Sequence, residues 1–139
     1  MAFPDSIQEG GNLLNDELIT GLNYAWQAWS PSASASGSMT YTSVSYDVVR
    51  YRTVGKAVGF ELNFTGTTGG TASTELRITP PVTPLDNYVA FPASARDGAW
   101  EVGWAYTESG KIVLRNYDGS NWSLGANVGG RIAGIYSIA

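Results

Sequence analysis

One segment near the middle of the chain alternates strictly between large apolar side chains and small or polar ones. Its apolar side chains occupy every second position: Val58, Phe60, Leu62 and Phe64. The residues between them are Gly59, Glu61 and Asn63, and Thr65 follows Phe64. Because successive side chains of a β-strand point to opposite faces of the sheet, this pattern predicts a strand with one buried face and one face in water.

Similar strand signals recur along the chain and are separated by turn signals. Residues 100, 102, 104 and 106 are Trp, Val, Trp and Tyr, and Glu108-Ser109-Gly110-Lys111 predicts a hairpin turn directly after them. Turns spaced about every 8–12 residues are typical of an all-β sandwich. In a chain of 139 residues with 14% charged residues, we expect one antiparallel β-sandwich or jelly roll spanning residues 26–139.

Several local features refine this prediction. The apolar alternation shifts phase around Val48 and Val49, which indicates a β-bulge. Leu76 and Ile78 predict a short strand that Pro80 ends. The glycine-rich stretch 66–70 and the small-residue stretch 31–38 both predict loops. The alternation around Trp100 and Trp104 predicts that both rings share one sheet face, which we interpret as the core face.

The first 25 residues differ from the rest and predict a docking arm with at most one short helical turn. They contain four acids and no Lys or Arg, whereas the remaining chain has eight of each sign. Their apolar side chains need a surface beyond the arm to pack against, and they form the predicted assembly contact. These residues are Phe3, Ile7, Leu13, Leu14, Leu18, Ile19 and Leu22.

Composition argues against several functional classes. The chain has no histidine and no cysteine, so it lacks the commonest general base, the commonest metal ligand and all thiolate chemistry. We therefore expect no enzymatic activity, no cofactor and no bound metal. A basic stripe for nucleic acid is missing, and no apolar run is long enough to span a membrane. The first residues do not form a secretory signal, so synthesis in the cytoplasm is expected.

The aromatic content points to binding. Five tryptophans and eight tyrosines exceed what a small core demands, and exposed aromatic rings stack on sugars or fill partner pockets. We expect a ligand contact near the turn at Tyr117 and Asp118, with Trp122 as its best exposed ring. The full predicted set is Tyr88, Tyr117, Asp118, Asn121 and Trp122. Asp118-Gly-Ser-Asn121 also resembles half of a calcium loop, but an Asx turn explains it better.

Five short motifs, in order, resemble a group of phage and prophage virion proteins that carry a repeated β-domain. In this chain they are Trp26-Gln-Ala-Trp29-Ser30-Pro31, Arg50-Tyr51-Arg52-Thr53-Val54-Gly55-Lys56, Phe60-Glu-Leu62-Asn-Phe64-Thr65-Gly66-Thr67, Ile78-Thr79-Pro80 and Ile132-Ala-Gly134-Ile-Tyr136. The resemblance covers residues 24–139 and departs from the pattern at Thr79-Pro80-Pro81, where Leu-Pro is usual.

The resemblance implies a structural protein on the surface of a tailed phage virion, commonly a homotrimer. One interpretation is a capsid decoration or head-fibre protein that docks on other virion proteins through its arm. The alternative is a tail-fibre domain that recognises a host-surface carbohydrate. In both cases the expected location is the virion.

Overall fold

A computed structural model of the protein describes residues 25–139. The predicted arm and its assembly residues therefore lie outside the described residues, except for Ala25. Within that range the secondary structure consists of nine β-strands without a helix. They are β1 Gln27–Ala28, β2 Ala33–Ala35, β3 Met39–Val54, β4 Ala57–Gly70, β5 Leu76–Ile78, β6 Ala90–Asp97, β7 Ala99–Glu108, β8 Lys111–Asn116 and β9 Gly125–Ser137. The prediction of an all-β antiparallel fold is confirmed.

The strands form one antiparallel sheet in the order β1-β3-β4-β9-β6-β7-β8-β5-β2. Strands β1 and β2 lie at opposite edges of this sheet, yet only residues 29–32 separate them along the chain. An extended chain of that length spans at most roughly 18 Å between the two strand ends. The sheet must therefore curl until its edges are close, so that one face encloses the core and the other faces outward.

The inner face of the curled sheet carries the core. All four apolar residues of the alternating segment in β4 point inward and are buried, as predicted from their spacing. They pack with Leu76 and Ile78 of β5 and with Ile112 and Leu114 of β8. At about 25 cal/mol per Å² of apolar surface removed from water, this shared burial is the main stabilising term of the fold.

Two of the local predictions are confirmed. The register of β3 against β4 shifts between Tyr46 and Val48, which is the expected bulge. The turn between β7 and β8 lies at Ser109 and Gly110, both with positive φ, as a tight hairpin requires.

Two loop predictions were wrong. The glycine-rich stretch continues β4 to Gly70, because the ring of Tyr41 lies directly over Gly66 and a side chain there would collide with it. The small-residue stretch contains β2, whose Ala33 and Ala35 pair with Ile78 and Leu76. In both cases small residues serve close packing in a strand, although their composition resembles that of a loop.

Candidate functional site

The outer face of the curled sheet carries all six arginines of the chain. Strand register places Arg50 opposite Glu61, Arg52 opposite Gly59, and Arg77 opposite Val113. Arg115 lies opposite Trp104, and Arg96 opposite Trp100. Arg131 lies opposite Asn63 and Ser94. The sequence alone does not reveal this clustering, because the arginines come from five different strands.

Two of these arginines lie against the Trp100 ring on the outer face. The Arg131 guanidinium carbon lies 4.3 Å from the centroid of the Trp100 ring, and that of Arg96 lies 5.6 Å from it. Within residues 25–139 neither guanidinium is within salt-bridge distance of a carboxylate. The indole is nevertheless 42% exposed. Cation–π attraction therefore orients the two cations while leaving part of the ring and both charges available to a partner.

A second aromatic group continues the same face along β7. The Trp104 and Tyr106 rings lie 5.1 Å apart, and Tyr88 stacks on Tyr106 at 6.0 Å. Trp104 Nε1 donates a hydrogen bond to the Asn116 carbonyl at 3.0 Å, and Arg115 lies over the same indole at 5.4 Å. Burial, together with the nearby carboxylate of Glu75, raises the pKa of Tyr106, so this hydroxyl stays neutral. The Trp104 ring therefore has both a hydrogen-bond partner and a cation over its face.

Between the two tryptophans, Val102 is 72% exposed. The core-face interpretation of Trp100 and Trp104 was therefore wrong, although they do share one face. The inward positions of β7 include Gly103, Ala105 and Thr107, which are buried. A Cβ atom at Gly103 would lie 3.0 Å from Ala95 N of β6 and 3.2 Å from Leu114 Cδ1 of β8, so there is no room for a larger side chain there. We call Trp100, Val102, Trp104, Arg96 and Arg131 the aromatic-arginine face.

A shallow groove adjoins this face across β4, β9 and β6. Its first part, about 520 Å³, lies between Trp26 and Ile135, and its second part, about 490 Å³, reaches Arg131 and Val48. Both parts share a floor of Glu61, Pro92 and Ala133. Pro92 pairs with Trp104, so the groove and the aromatic-arginine face are neighbours on one continuous surface.

The predicted ligand contact at Trp122 is wrong. Trp122 is completely buried, and its Nε1 donates a hydrogen bond to the Thr74 carbonyl at 3.1 Å. Its backbone N–H bonds Ser73 O at 2.9 Å, so the ring closes the core from a distant loop. A side chain next to a turn looks exposed when only its neighbours in sequence are considered.

The other four predicted contact residues are exposed but do not form one site. Tyr88 N donates a hydrogen bond to the carbonyl of Thr107, which pairs with Ile112 near the start of β8. Tyr117 follows the last residue of β8. The five-residue separation along this strand corresponds to roughly 16 Å. The carboxylate of Asp118 accepts the Ser120 N–H at 2.9 Å, which makes an Asx turn, and hydrogen bonds from Ser120 lower the pKa of this carboxyl. Asn121 is exposed beside the same turn.

Acidic side chains do not gather on this surface. Among residues 25–139 there is no group of three or more metal-ligating side chains. The same range contains no helix long and apolar enough to cross a membrane. The chemistry of the surface is therefore that of aromatic rings, guanidinium groups and a few apolar side chains.

Comparison with protein-family models, with curated proteins and with solved structures gives no match for this chain.

Proposed function

We propose that this chain is a non-enzymatic structural protein of a tailed phage virion whose β-domain binds protein partners through the aromatic-arginine face. The observation that carries the binding role is the exposure of Val102 between Trp100 and Trp104 on a central strand of the sheet. Three neighbouring large apolar side chains are normally buried in a folded protein. Where such side chains form an exposed patch, the patch marks an interaction site. The virion assignment is supported by the motif resemblance.

The composition of the face favours a protein partner. Trp, Tyr and Arg are the residues that dominate binding energy in protein interfaces, and acidic residues are depleted there. The face combines two tryptophans with two guanidinium groups that have no carboxylate partner within residues 25–139. A partner that offers apolar side chains and carboxylates would satisfy both components.

We propose further copies of this chain as the partner, in a homotrimer. The motif resemblance supports this number, and a closed ring buries the same two patches of every protomer. Other virion proteins would then contact the outer surface of the assembled trimer.

The test is the mass of the full chain in solution, measured by light scattering and sedimentation. We expect a trimer for the unmodified chain and a monomer for Val102→Glu, because a buried charge without a partner opposes association. Leu124→Glu is the matched control, since Leu124 is 50% exposed outside the face and should leave the trimer intact. A monomeric unmodified chain, or a trimeric Val102→Glu variant, would contradict the proposal. Antibodies against the chain should also label virions of the phage that encodes it.

Carbohydrate recognition is the second candidate, because Trp100 and Trp104 are both nearly half exposed and could stack on sugar rings. It predicts that Trp104→Ala abolishes binding on a glycan array while the oligomeric state stays unchanged. Absence of all array signals would count against it. Trp122, the ring that the sequence favours for contact with a ligand, is buried and therefore cannot stack on a sugar.

A further inference from the structure

The groove beside the aromatic-arginine face exposes apolar side chains, although Arg50 and Arg52 lie over the Trp26 ring at one end of it. Ile135 is 68% exposed, and Trp26 and Val48 are also exposed on the rims of its two parts. Its floor is formed by Ala133 and Pro92, whose small side chains leave the depression open. An apolar segment of a few residues would fit along it.

The charge around the groove is positive on the side nearest Trp100. Arg131 lines the second part of the groove, and Arg96 lies against the same Trp100 ring as Arg131. Glu61 on the floor is already bound to Arg50, with 2.7 Å between the Glu61 carboxylate and Arg50 Nε. A ligand for this groove should therefore be apolar and acidic together.

The first 24 residues of the chain have this chemistry. They carry Asp5, Glu9, Asp16 and Glu17 and no base, so the whole net charge of −4 comes from them. The seven apolar side chains of the predicted arm are interspersed with these acids along the segment. Residues 25–139 contain eight acids and eight bases. Every base of the chain, Arg96 and Arg131 included, therefore lies outside the acidic first 24 residues.

The connection between segment and groove is direct, because Trp26 itself lines the groove. An extended chain covers roughly 3.3 Å per residue, so even a third of the segment reaches from Trp26 to Arg131 across two or three strands spaced about 4.8 Å apart. Tethering also raises the local concentration of the segment to the millimolar range. A weak contact is then sufficient for occupancy.

We infer that residues 1–24 dock in the groove of their own chain, with leucines on Ile135 and Ala133 and carboxylates near Arg131 and Arg96. This inference goes beyond the proposed function and concerns a contact within one chain, in which the carboxylates of the arm would compete with those of a partner for Arg131 and Arg96. It assigns the acidic, leucine-bearing arm a binding site of defined chemistry.

Paramagnetic broadening measures this contact in the full chain. The chain has no cysteine, so Gln8→Cys provides a single attachment point for a nitroxide label, far along the chain from Trp26. In a ¹⁵N-labelled protein we expect the strongest loss of amide signal at Gly59, Ala133 and Ile135. The loss should weaken as salt is raised, because ionic screening shortens the range of the charge contacts.

Four variants of the labelled chain test whether the broadening depends on the groove and on the charges of the arm. Ile135→Glu and Arg131→Glu, each in the labelled chain, should restore the groove signals, whereas Leu124→Glu should not. All three positions are exposed, so the amide spectrum of each variant should retain the dispersion of the folded domain. Replacing the four arm acids by their amides should likewise restore the signals.

The origin of the segment is tested by mixing. Spin-labelled chains without ¹⁵N are added to ¹⁵N chains without a label, and groove broadening in this mixture would show that the segment of a second copy is the occupant, which overturns the intramolecular proposal. Broadening that is uniform, or strongest outside the groove, would overturn it as well. Neither result would alter the trimer measurement, so the two proposals fail separately.

Discussion

Trp29 joins the two edges of the curled sheet. Its ring packs edge-on against Tyr51 of β3, with the centroids 6.0 Å apart and the planes at 83°. Its Nε1 donates a hydrogen bond to the carbonyl of Thr79, just beyond β5, at 3.1 Å. One side chain therefore contacts strands from opposite ends of the sheet order, and it does so in the four-residue connection that the closure requires.

Trp29→Ala should destabilise the fold through loss of this bridge. Because Trp29 is only partly buried, we expect a decrease of about 2–3 kcal/mol in the free energy of unfolding, below the range for fully buried tryptophan. Trp29→Phe should lose about 1 kcal/mol, since it keeps a ring against Tyr51 but cannot donate to Thr79. Urea unfolding measures both values. Tyr117→Ala is the exposed control, and an equal shift in this control would contradict the bridging role.

Gly134 should not tolerate a side chain while Phe91 is present. A Cβ atom at Gly134 would overlap the Phe91 ring, which fills the inner space beside β9. We expect Gly134→Ala to cost about 1–3 kcal/mol, as other overpacked cores do. In the Phe91→Leu background the cost of the same substitution should shrink. A double-mutant cycle by chemical denaturation measures the coupling, and strictly additive effects would rule out the steric explanation.

Stability should fall at alkaline pH because of a buried tyrosine. Burial raises the pKa of Tyr136 from 10.0 to about 12 in the folded chain. Between these values the unfolded chain has lost more of this proton than the folded chain, so the free energy of unfolding decreases as the pH rises. Stability is thus fully retained below pH 10 and declines from about pH 10 toward 12.

The variant Tyr136→Phe separates this contribution. At neutral pH it should be less stable by about 1 kcal/mol, because the hydroxyl donates a 2.7 Å hydrogen bond to the Val82 carbonyl. Above pH 10 its stability should fall less steeply than that of the unmodified chain. Some decline should remain, since burial also raises the pKa of Tyr41. The measurement is the unfolding midpoint of both proteins from pH 8 to pH 11.5. An equal decline of the midpoint with pH in Tyr136→Phe and in the unmodified chain would show that Tyr136 is not responsible.

Asp97 should hold the loop that delivers Trp122 to the core. Its carboxylate accepts the Ser123 N–H at 3.2 Å and an Nδ2 hydrogen bond from Asn116 at 3.4 Å. Asp97→Ala should reduce stability by about 1 kcal/mol and speed amide hydrogen exchange at Ser123. Asp97→Asn retains an acceptor oxygen and should have a smaller effect. Unchanged exchange at Ser123 in Asp97→Ala would show that other contacts fix the loop.

Local patterns in the sequence were sufficient for the strands but not for the faces. The alternation in β4 and the phase shift at Val48 both correspond to observed features, because each depends on the geometry of one strand or one pair. The same period in β7 correctly grouped Trp100 with Trp104 but assigned them to the wrong side. Periodicity predicts which side chains share a face but not which face is buried. In β7 the close approach of Leu114 to Gly103 leaves no room for large side chains on the inner face.

Strand β6 shows a second limit. Pro92 and the small residues around it gave no strand signal, since proline cannot donate to a ladder. The strand nevertheless pairs on both sides, with Pro92 opposite Trp104. Its small side chains form the floor of the groove, so the missed strand is also the reason that the groove was not predicted.

The candidate surface depends on contacts between residues far apart in sequence. Arg131 and Trp100 come from β9 and β7, which do not pair with each other directly. Their contact requires the intervening β6 and the topology that inserts it. Neither spacing nor composition encodes such a relationship in a single sequence.

The sheet begins and ends on very short strands: β1 has two residues and β2 has three. Longer edges would present rows of unpaired amides and carbonyls to any neighbouring chain, and crowded copies would be drawn into fibrils by strand addition. Strand β1 pairs only with Tyr51 and Arg50 of the 16-residue β3, so most of that edge of β3 has no ladder partner among the described strands. This edge of β3, and not β1 or β2, is therefore the longest row of backbone groups that a neighbouring chain meets on the described sheet.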